Sequence, residues 1–192
     1  MKILKLILIL FVVCSCGSDK ISEKSIDLNN KAVNAISNEK YDDALKLADE
    51  AINEDVNNYN AYTVKAQILI KQNKLNEATK VVEKLLEIKP DFAEGWTYMG
   101  LINNLNRNQK QANIDYKKGI ELFQKRNQNN EFTPENNDTN IYYSLFLIGD
   151  SLSIQKMAEL ENKWRSNKST YETMIAIKNM DKDEMIKQLL TK

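Results

Sequence analysis

Apolar and small side chains return at steps of three and four along most of the chain, the spacing that gives an α-helix one buried stripe. The stripes themselves recur at a longer interval. Ala32, Ala66 and Gly100 stand 34 residues apart, and so do Ala44, Ala78 and Ala112. With Ser25 counted as position 1, three units run over 25–58, 59–92 and 93–126 without insertion or deletion. Position 4 holds Leu28, Tyr62 and Trp96; position 24 holds Ala48, Val82 and Tyr116; position 28 holds Ile52, Leu86 and Ile120. Each unit therefore predicts two antiparallel helices, with the small residues of positions 8 and 20 at their close crossing and the large ones on the flanks. A helical pattern with this period marks hairpins that stack on their neighbours into a curved array. Lys89-Pro90-Asp91 closes the second unit, because proline cannot continue a helix but suits the start of the next; Val56 and Gln124 stand at that place in the other two.

Beyond the third unit the pattern loosens. Residues 127–140 are rich in Asn, contain Pro134 and have few apolar side chains, which predicts a long polar loop. Helical spacing resumes over Ile141–Ile148. Gly149-Asp150-Ser151 then predicts a turn into a helix from Leu152 to Trp164, with Leu152, Met157, Leu160 and Trp164 on its apolar side. Ser166–Ser169 breaks the pattern, Thr170–Lys178 resumes it, and Asp181 is placed to N-cap a last helix through Leu190. Residues 141–192 thus form degenerate hairpins of the kind that cover the end of a stack.

Trp96, Met99-Gly100, Ala112 and Tyr116 of the third unit, and Tyr62, Ala66, Ala78, Val82 and Pro90 of the second, resemble the tetratricopeptide repeat family. The resemblance covers roughly half of the chain and implies an all-α right-handed superhelix of antiparallel helix hairpins, three clear repeats followed by degenerate ones. In that family positions 2, 5, 9, 12 and 13 of each first helix line a concave groove. The matching residues are Ile26, Asn29, Val33, Ile36 and Ser37; Asn60, Thr63, Gln67, Ile70 and Lys71; and Glu94, Thr97, Leu101, Asn104 and Leu105. These imply a protein or peptide partner held by amide and hydroxyl groups, with Ile36, Ile70, Leu101 and Leu105 as apolar anchors, although several can instead pack against the next hairpin. Some members clamp a C-terminal carboxylate through basic and amide residues. The corresponding places hold Asn29, Val33, Val64, Glu94 and Tyr98, a set that does not match.

The N-terminus follows a different grammar. Met1–Lys5 carries two positive charges, Leu6–Val13 is an apolar run, and Cys14-Ser15-Cys16-Gly17-Ser18 is small and polar, which is the layout of a signal peptide. The run falls short of the roughly 20 residues of a membrane-spanning helix. Val13-Cys14-Ser15-Cys16 resembles a bacterial lipobox with Cys16 as the acceptor. That resemblance implies removal of residues 1–15, acylation of Cys16, and a short tether over 16–24 holding the repeats at a membrane on the extracytoplasmic side. Gly17 and Ser18 lack the aspartate that in enterobacterial lipoproteins favours inner-membrane retention, so the resemblance implies an outer-membrane anchor where the cell has an outer membrane, with surface and periplasmic exposure both open.

Composition narrows the chemistry. Lys plus Arg and Asp plus Glu each number 27 in 192 residues, leaving no net field that calls for nucleic acid. Histidine is absent and both cysteines precede Gly17, which removes the usual general base, thiol nucleophile and commonest zinc ligands from the folded part. Adjacent Asp42 and Asp43, and Glu159 with Glu161, point in different directions on a helix and do not converge for acid–base work. The expectation is a lipid-anchored interaction scaffold in an envelope assembly or secretion complex, not an enzyme, with neither cofactor nor metal and no small-molecule substrate. The alternative is an accessory subunit of a glycan-handling or other envelope complex. Asp150-Ser151-Leu152 also resembles an O-glycosylation acceptor, against the simpler reading of Asp150 as a helix cap.

Overall fold

The computed structural model describes residues 21–185, so Cys16, the signal segment 1–15 and most of the tether lie outside the described residues. Among the described residues the regular structure is helical: α1 (Glu23–Ser37), α2 (Tyr41–Glu54), α3 (Tyr59–Lys71), α4 (Leu75–Ile88), α5 (Ala93–Leu105), α6 (Gln109–Gln128), α7 (Pro134–Ile148), α8 (Ser151–Trp164) and α9 (Lys168–Lys178). Residues 182–185 begin a further helical turn, and Asp181 caps it by accepting from the Glu184 amide at 2.7 Å.

The 34-residue register holds in the backbone. Helices α1, α3 and α5 end at Ser37, Lys71 and Leu105, and their partners α2, α4 and α6 start at Tyr41, Leu75 and Gln109. Each hairpin packs internally, and α1 also meets α3 as α3 meets α5. The small-residue ladders mark the crossings: Ala32, Ala44, Ala66, Ala78 and Ala112 are fully buried. A Cβ added at Gly100 would lie 2.6 Å from the ring of Tyr116, so that crossing is closer than any side chain allows. Deviation begins at the turns. Position 15 is left-handed in every unit, at Glu39 (φ 61°), Asn73 (φ 58°) and Arg107 (φ 61°). The next amide reaches back to position 11, as Lys40 N to Ala35 O (2.9 Å), Lys74 N to Leu69 O (2.8 Å) and Asn108 N to Asn103 O (2.8 Å). This is the helix-ending turn that satisfies orphan carbonyls.

The expected polar loop at 127–140 is a correction. Helix α6 runs on to Gln128 and α7 starts at Pro134, which leaves only 129–133 as connection. Pro134 acts as the first helical residue, and residues 137–140 are buried, with the polar side chains of Asn137, Asp138 and Thr139 each holding a partner. Asn137 Nδ2 donates to Asn127 Oδ1 (2.8 Å) and Glu131 O (3.1 Å). Asp138 accepts from Asn127 Nδ2 (2.8 Å), Lys163 Nζ (2.6 Å) and Trp164 Nε1 (2.8 Å). Helix α7 is enclosed by α6, α8 and α9 and contributes Ile141, Tyr142, Tyr143, Leu145, Leu147 and Ile148 to the largest apolar cluster.

Two smaller differences follow. Leu152 is 56% exposed rather than part of the apolar side of α8, whose buried contact is made by Met157 with Leu160 and Trp164 alongside. Helix α9 starts at Lys168, two residues before Thr170, because Asn167 Oδ1 accepts from the Thr170 amide and caps it. The capping role of Asp150 holds, its Oδ1 accepting from Ser153 N at 2.8 Å, with Gly149 at φ 71° ending α7.

Candidate interaction groove

The inward positions of α1, α3 and α5 divide into an open set and a buried set. In the first hairpin Ile26 is 43% exposed, Val33 and Ile36 are half-buried, and Ser37 is exposed with its hydroxyl turned back to Val33 O. Asn29 is buried, and among the described residues its Oδ1 has no hydrogen-bond donor within reach. Asn60, Gln67 and Lys71 of the second hairpin and Asn104 and Leu105 of the third are half-buried.

Thr63, Ile70, Glu94, Thr97 and Leu101 are buried, packed within the stack rather than open toward the groove. The physical reason is that interior helices have neighbours on both sides, so the stripe that faces a groove at one end of a stack is needed for packing further along. Ile70 and Leu101 share an apolar cluster with Leu69, Val82, Tyr98 and Ile102. Thr97 lies where α6 approaches closely: a Cβ on Gly119 would stand 2.9 Å from Thr97 Oγ1.

Glu94 is 2% exposed and takes both guanidinium nitrogens of Arg126, at 2.7 and 2.9 Å. The Arg126 guanidinium carbon lies 5.5, 5.4 and 5.0 Å from the ring centroids of Phe92, Phe123 and Phe132, within cation–π range. This clasp ties α5 to the end of α6 and to the 129–133 connection. Sequence reasoning missed it, since Arg126 is the last residue of its unit and no spacing rule pairs it with Glu94. The five places compared with a carboxylate clamp include buried Val64 and Tyr98 as well as the neutralised Glu94, so they present no cationic cradle.

Other candidates are engaged in the fold. Trp96 Nε1 donates to Pro90 O at 2.8 Å and Trp164 Nε1 to Asp138, so the indole N–H of each is committed. Asp42 accepts from Gln72, and Glu161 accepts from Tyr142 Oη (2.6 Å) and Lys178 Nζ (3.1 Å). Among the described residues no cluster of three or more Asp, Glu, Cys or His is arranged to hold a metal, and no helix is long and apolar enough to cross a membrane.

Comparison with known proteins finds similarity in the hairpins. Residues 35–102 match the tetratricopeptide repeat family. An 82-residue stretch is 32% identical to Hsp70-Hsp90 organizing protein 3 of Arabidopsis thaliana, covering 43% of this chain and 15% of that relative. Three solved structures share the fold at low identity. The first repeat domain of Spaghetti, bound to the HSP90 peptide SRMEEVD, is 20% identical with a TM-score of 0.50, covering 55% of this chain and 84% of that one. The Sgt2 repeat domain from Aspergillus fumigatus is 18% identical with a TM-score of 0.53, over 68% and 82%. MamA from Desulfovibrio magneticus RS-1 is 16% identical with a TM-score of 0.51, over 74% and 76%. Residues 35–102 thus match the tetratricopeptide repeat family, and the stack of helix hairpins around them shares the fold of these solved structures.

Proposed function

We propose that the protein is a lipid-anchored interaction scaffold of a bacterial envelope, holding a peptide segment of a partner protein against the open inward side chains of its first hairpins. Tetratricopeptide repeat proteins are in general protein-interaction scaffolds, and that coarse role applies here. The observation that carries the finer reading is the mixed stripe of Ile26, Val33, Ile36, Asn60 and Gln67, aliphatic groups beside amides that remain partly accessible while the neighbouring inward residues are buried. Such a stripe fits an extended chain: amides answer backbone N–H and C=O groups and the aliphatics supply anchors. The absence of His, and of Cys after Cys16, together with the engaged carboxylates, supports binding rather than catalysis. The anchor rests on the lipobox-like Val13-Cys14-Ser15-Cys16, and multiple acyl chains would make attachment stable.

Affinity isolation from detergent-solubilised membranes tests the groove. The wild-type chain should retain a partner that the Ile26→Asp/Gln67→Glu variant loses, both positions being accessible enough to change without entering the core. Retention indifferent to these changes removes the groove as the binding surface. For the anchor, Cys16→Ala should move the protein from the membrane to the soluble fraction, and continued membrane association would refute lipidation at Cys16.

A further inference from the structure

The inward face of the fourth hairpin is already covered, and by the chain itself. The left-handed residue that stands at position 15 in the first three hairpins has its counterpart in Gly149. Counting back from it puts Tyr143 at position 9 and Leu147 at position 13, the inward places of α7. Both meet the turn that follows Asp181. Met185 is 3% exposed with its sulfur 3.9 Å from Tyr143 Oη, and Lys182 Nζ donates to Leu147 O. The two contacts have distinct chemistry. An ammonium caps a carbonyl in the last turn of α7, where the helix dipole is negative, and a thioether sulfur accepts weakly from the Tyr143 hydroxyl. Burial at this place lowers the pKa of Lys182, although Asp183 works in the opposite direction.

We propose that residues 181–185 are an internal occupant of the groove, a strap that holds a helix-docking surface on α7 closed until it is displaced by a helix offering the same pair of groups, a basic side chain and a methionine or leucine one turn later. The strap rests on the groove reading, because it matters only if the inward face is where partners bind. It is built to open. Asn179 and Met180 end α9 with turn hydrogen bonds to Ile175 O and Ile177 O, and Asp181 starts a new cap, so the strap joins α9 through a short connection rather than a continuous helix. Its grip on α7 includes one charged hydrogen bond and one buried thioether. A partner that needs this face meets a site available only in the open fraction, and its apparent affinity falls by that fraction.

The test uses the full chain and no cellular partner, so its failure is separable from failure of the groove reading, which is probed at Ile26 and Gln67. The probe is a fluorescein-labelled synthetic peptide with the sequence of residues 179–192, followed by fluorescence anisotropy. The Lys182→Ala/Met185→Asp chain should bind the probe at least about tenfold more tightly than wild type. Met185→Leu should behave as wild type, and unlabelled peptide carrying Met185→Asp should fail to compete. Should the double variant lose its far-UV helix signal, Lys182→Gln alone, which keeps the thioether contact, reads the same competition. Equal binding by wild type and variant, or binding by neither, overturns the strap. A wild-type dimer in light scattering that the free peptide dissociates would assign the segment to a neighbouring copy and overturn docking within one chain.

Discussion

Glutamate and arginine are poor occupants of left-handed backbone, yet Glu39 and Arg107 hold it at the turn of the first and third hairpins, with Asn73 between them. A side chain with a Cβ pays about 1 kcal/mol there, asparagine less and glycine almost nothing. Glu39→Gly and Arg107→Gly should therefore each raise stability by about 1 kcal/mol, and Asn73→Gly by a smaller amount, read as shifts in urea midpoint. A loss of stability on either of the first two substitutions would contradict the assigned backbone. The three turns were invisible in the sequence because Glu, Asn and Arg share no property at position 15; what they share is a dihedral angle. The small residues at positions 8 and 20 were legible for the opposite reason, since a close crossing excludes large side chains whatever surrounds it. A second residue-level case is Asp115, buried on α6 with only the amides of Asn103 (2.7 Å) and Gln111 (2.9 Å) as donors. Burial raises its pKa, outweighing those hydrogen bonds. The native state then holds the Asp115 proton more tightly than the unfolded chain, so its contribution to stability is fully present below the unfolded value and lost as pH rises through the folded one. Relative to wild type, Asp115→Asn should gain stability with rising pH across that acid window and stay level above it, as urea unfolding at a series of pH values would record; a difference independent of pH would contradict the raised pKa.

At the scale of elements, α7 decides the C-terminal half. Its first turns carry Asn136, Asn137, Asp138, Thr139 and Asn140, residues that signal a loop when each is taken alone. The signal inverts once the partners are counted, because Asn127 and Glu131 precede the helix and Lys163 and Trp164 lie on α8, too far along the chain for any periodicity to connect. Pro134 was the one local cue, and it is compatible with a loop as well as with a helix start. Removing the buried carboxylate at Asp138 would leave the half-buried Asn127 amide and Trp164 indole N–H without their acceptor and Lys163 without its counter-charge. Asp138→Ala should cost about 3 kcal/mol, against a small effect for Glu159→Ala on the exposed face of α8, both measured by thermal or urea unfolding. Comparable losses for the two would show that the network is not what orders α7. The groove was half legible for a related reason. The family pattern identifies which face of each first helix looks inward, but Thr63, Ile70, Glu94, Thr97 and Leu101 show that looking inward and being accessible are different properties. The second depends on how much neighbouring structure that face must cover.

In the whole molecule, hairpins stacked in a row share stability mainly with their neighbours, and the row is unequal from end to end. The first hairpin is built on Ala32, Ala44, Ala48 and Ala51, which bury little area, whereas α6 and α7 bring Tyr116, Phe123, Tyr142 and Leu147 together. Amide hydrogen exchange under native conditions should be fastest in α1 and α2 and slowest in α6 and α7; uniform protection along the chain would mean that it unfolds as one unit. The hairpin expected to exchange fastest is also the one with the most open inward stripe, which joins adaptability to the proposed contact surface. Under the proposed groove and strap, the closed face of α7 turns the groove into a ruler. A segment laid from α1 across α3 to α5 covers two interhelix spacings, about 16–20 Å, before it meets the occupied fourth hairpin. Extended chain advances about 3.3–3.6 Å per residue, so the open stretch measures about five or six residues. On that proposal the length of a partner's motif, as much as its chemistry, is set by the place where the chain folds back on itself.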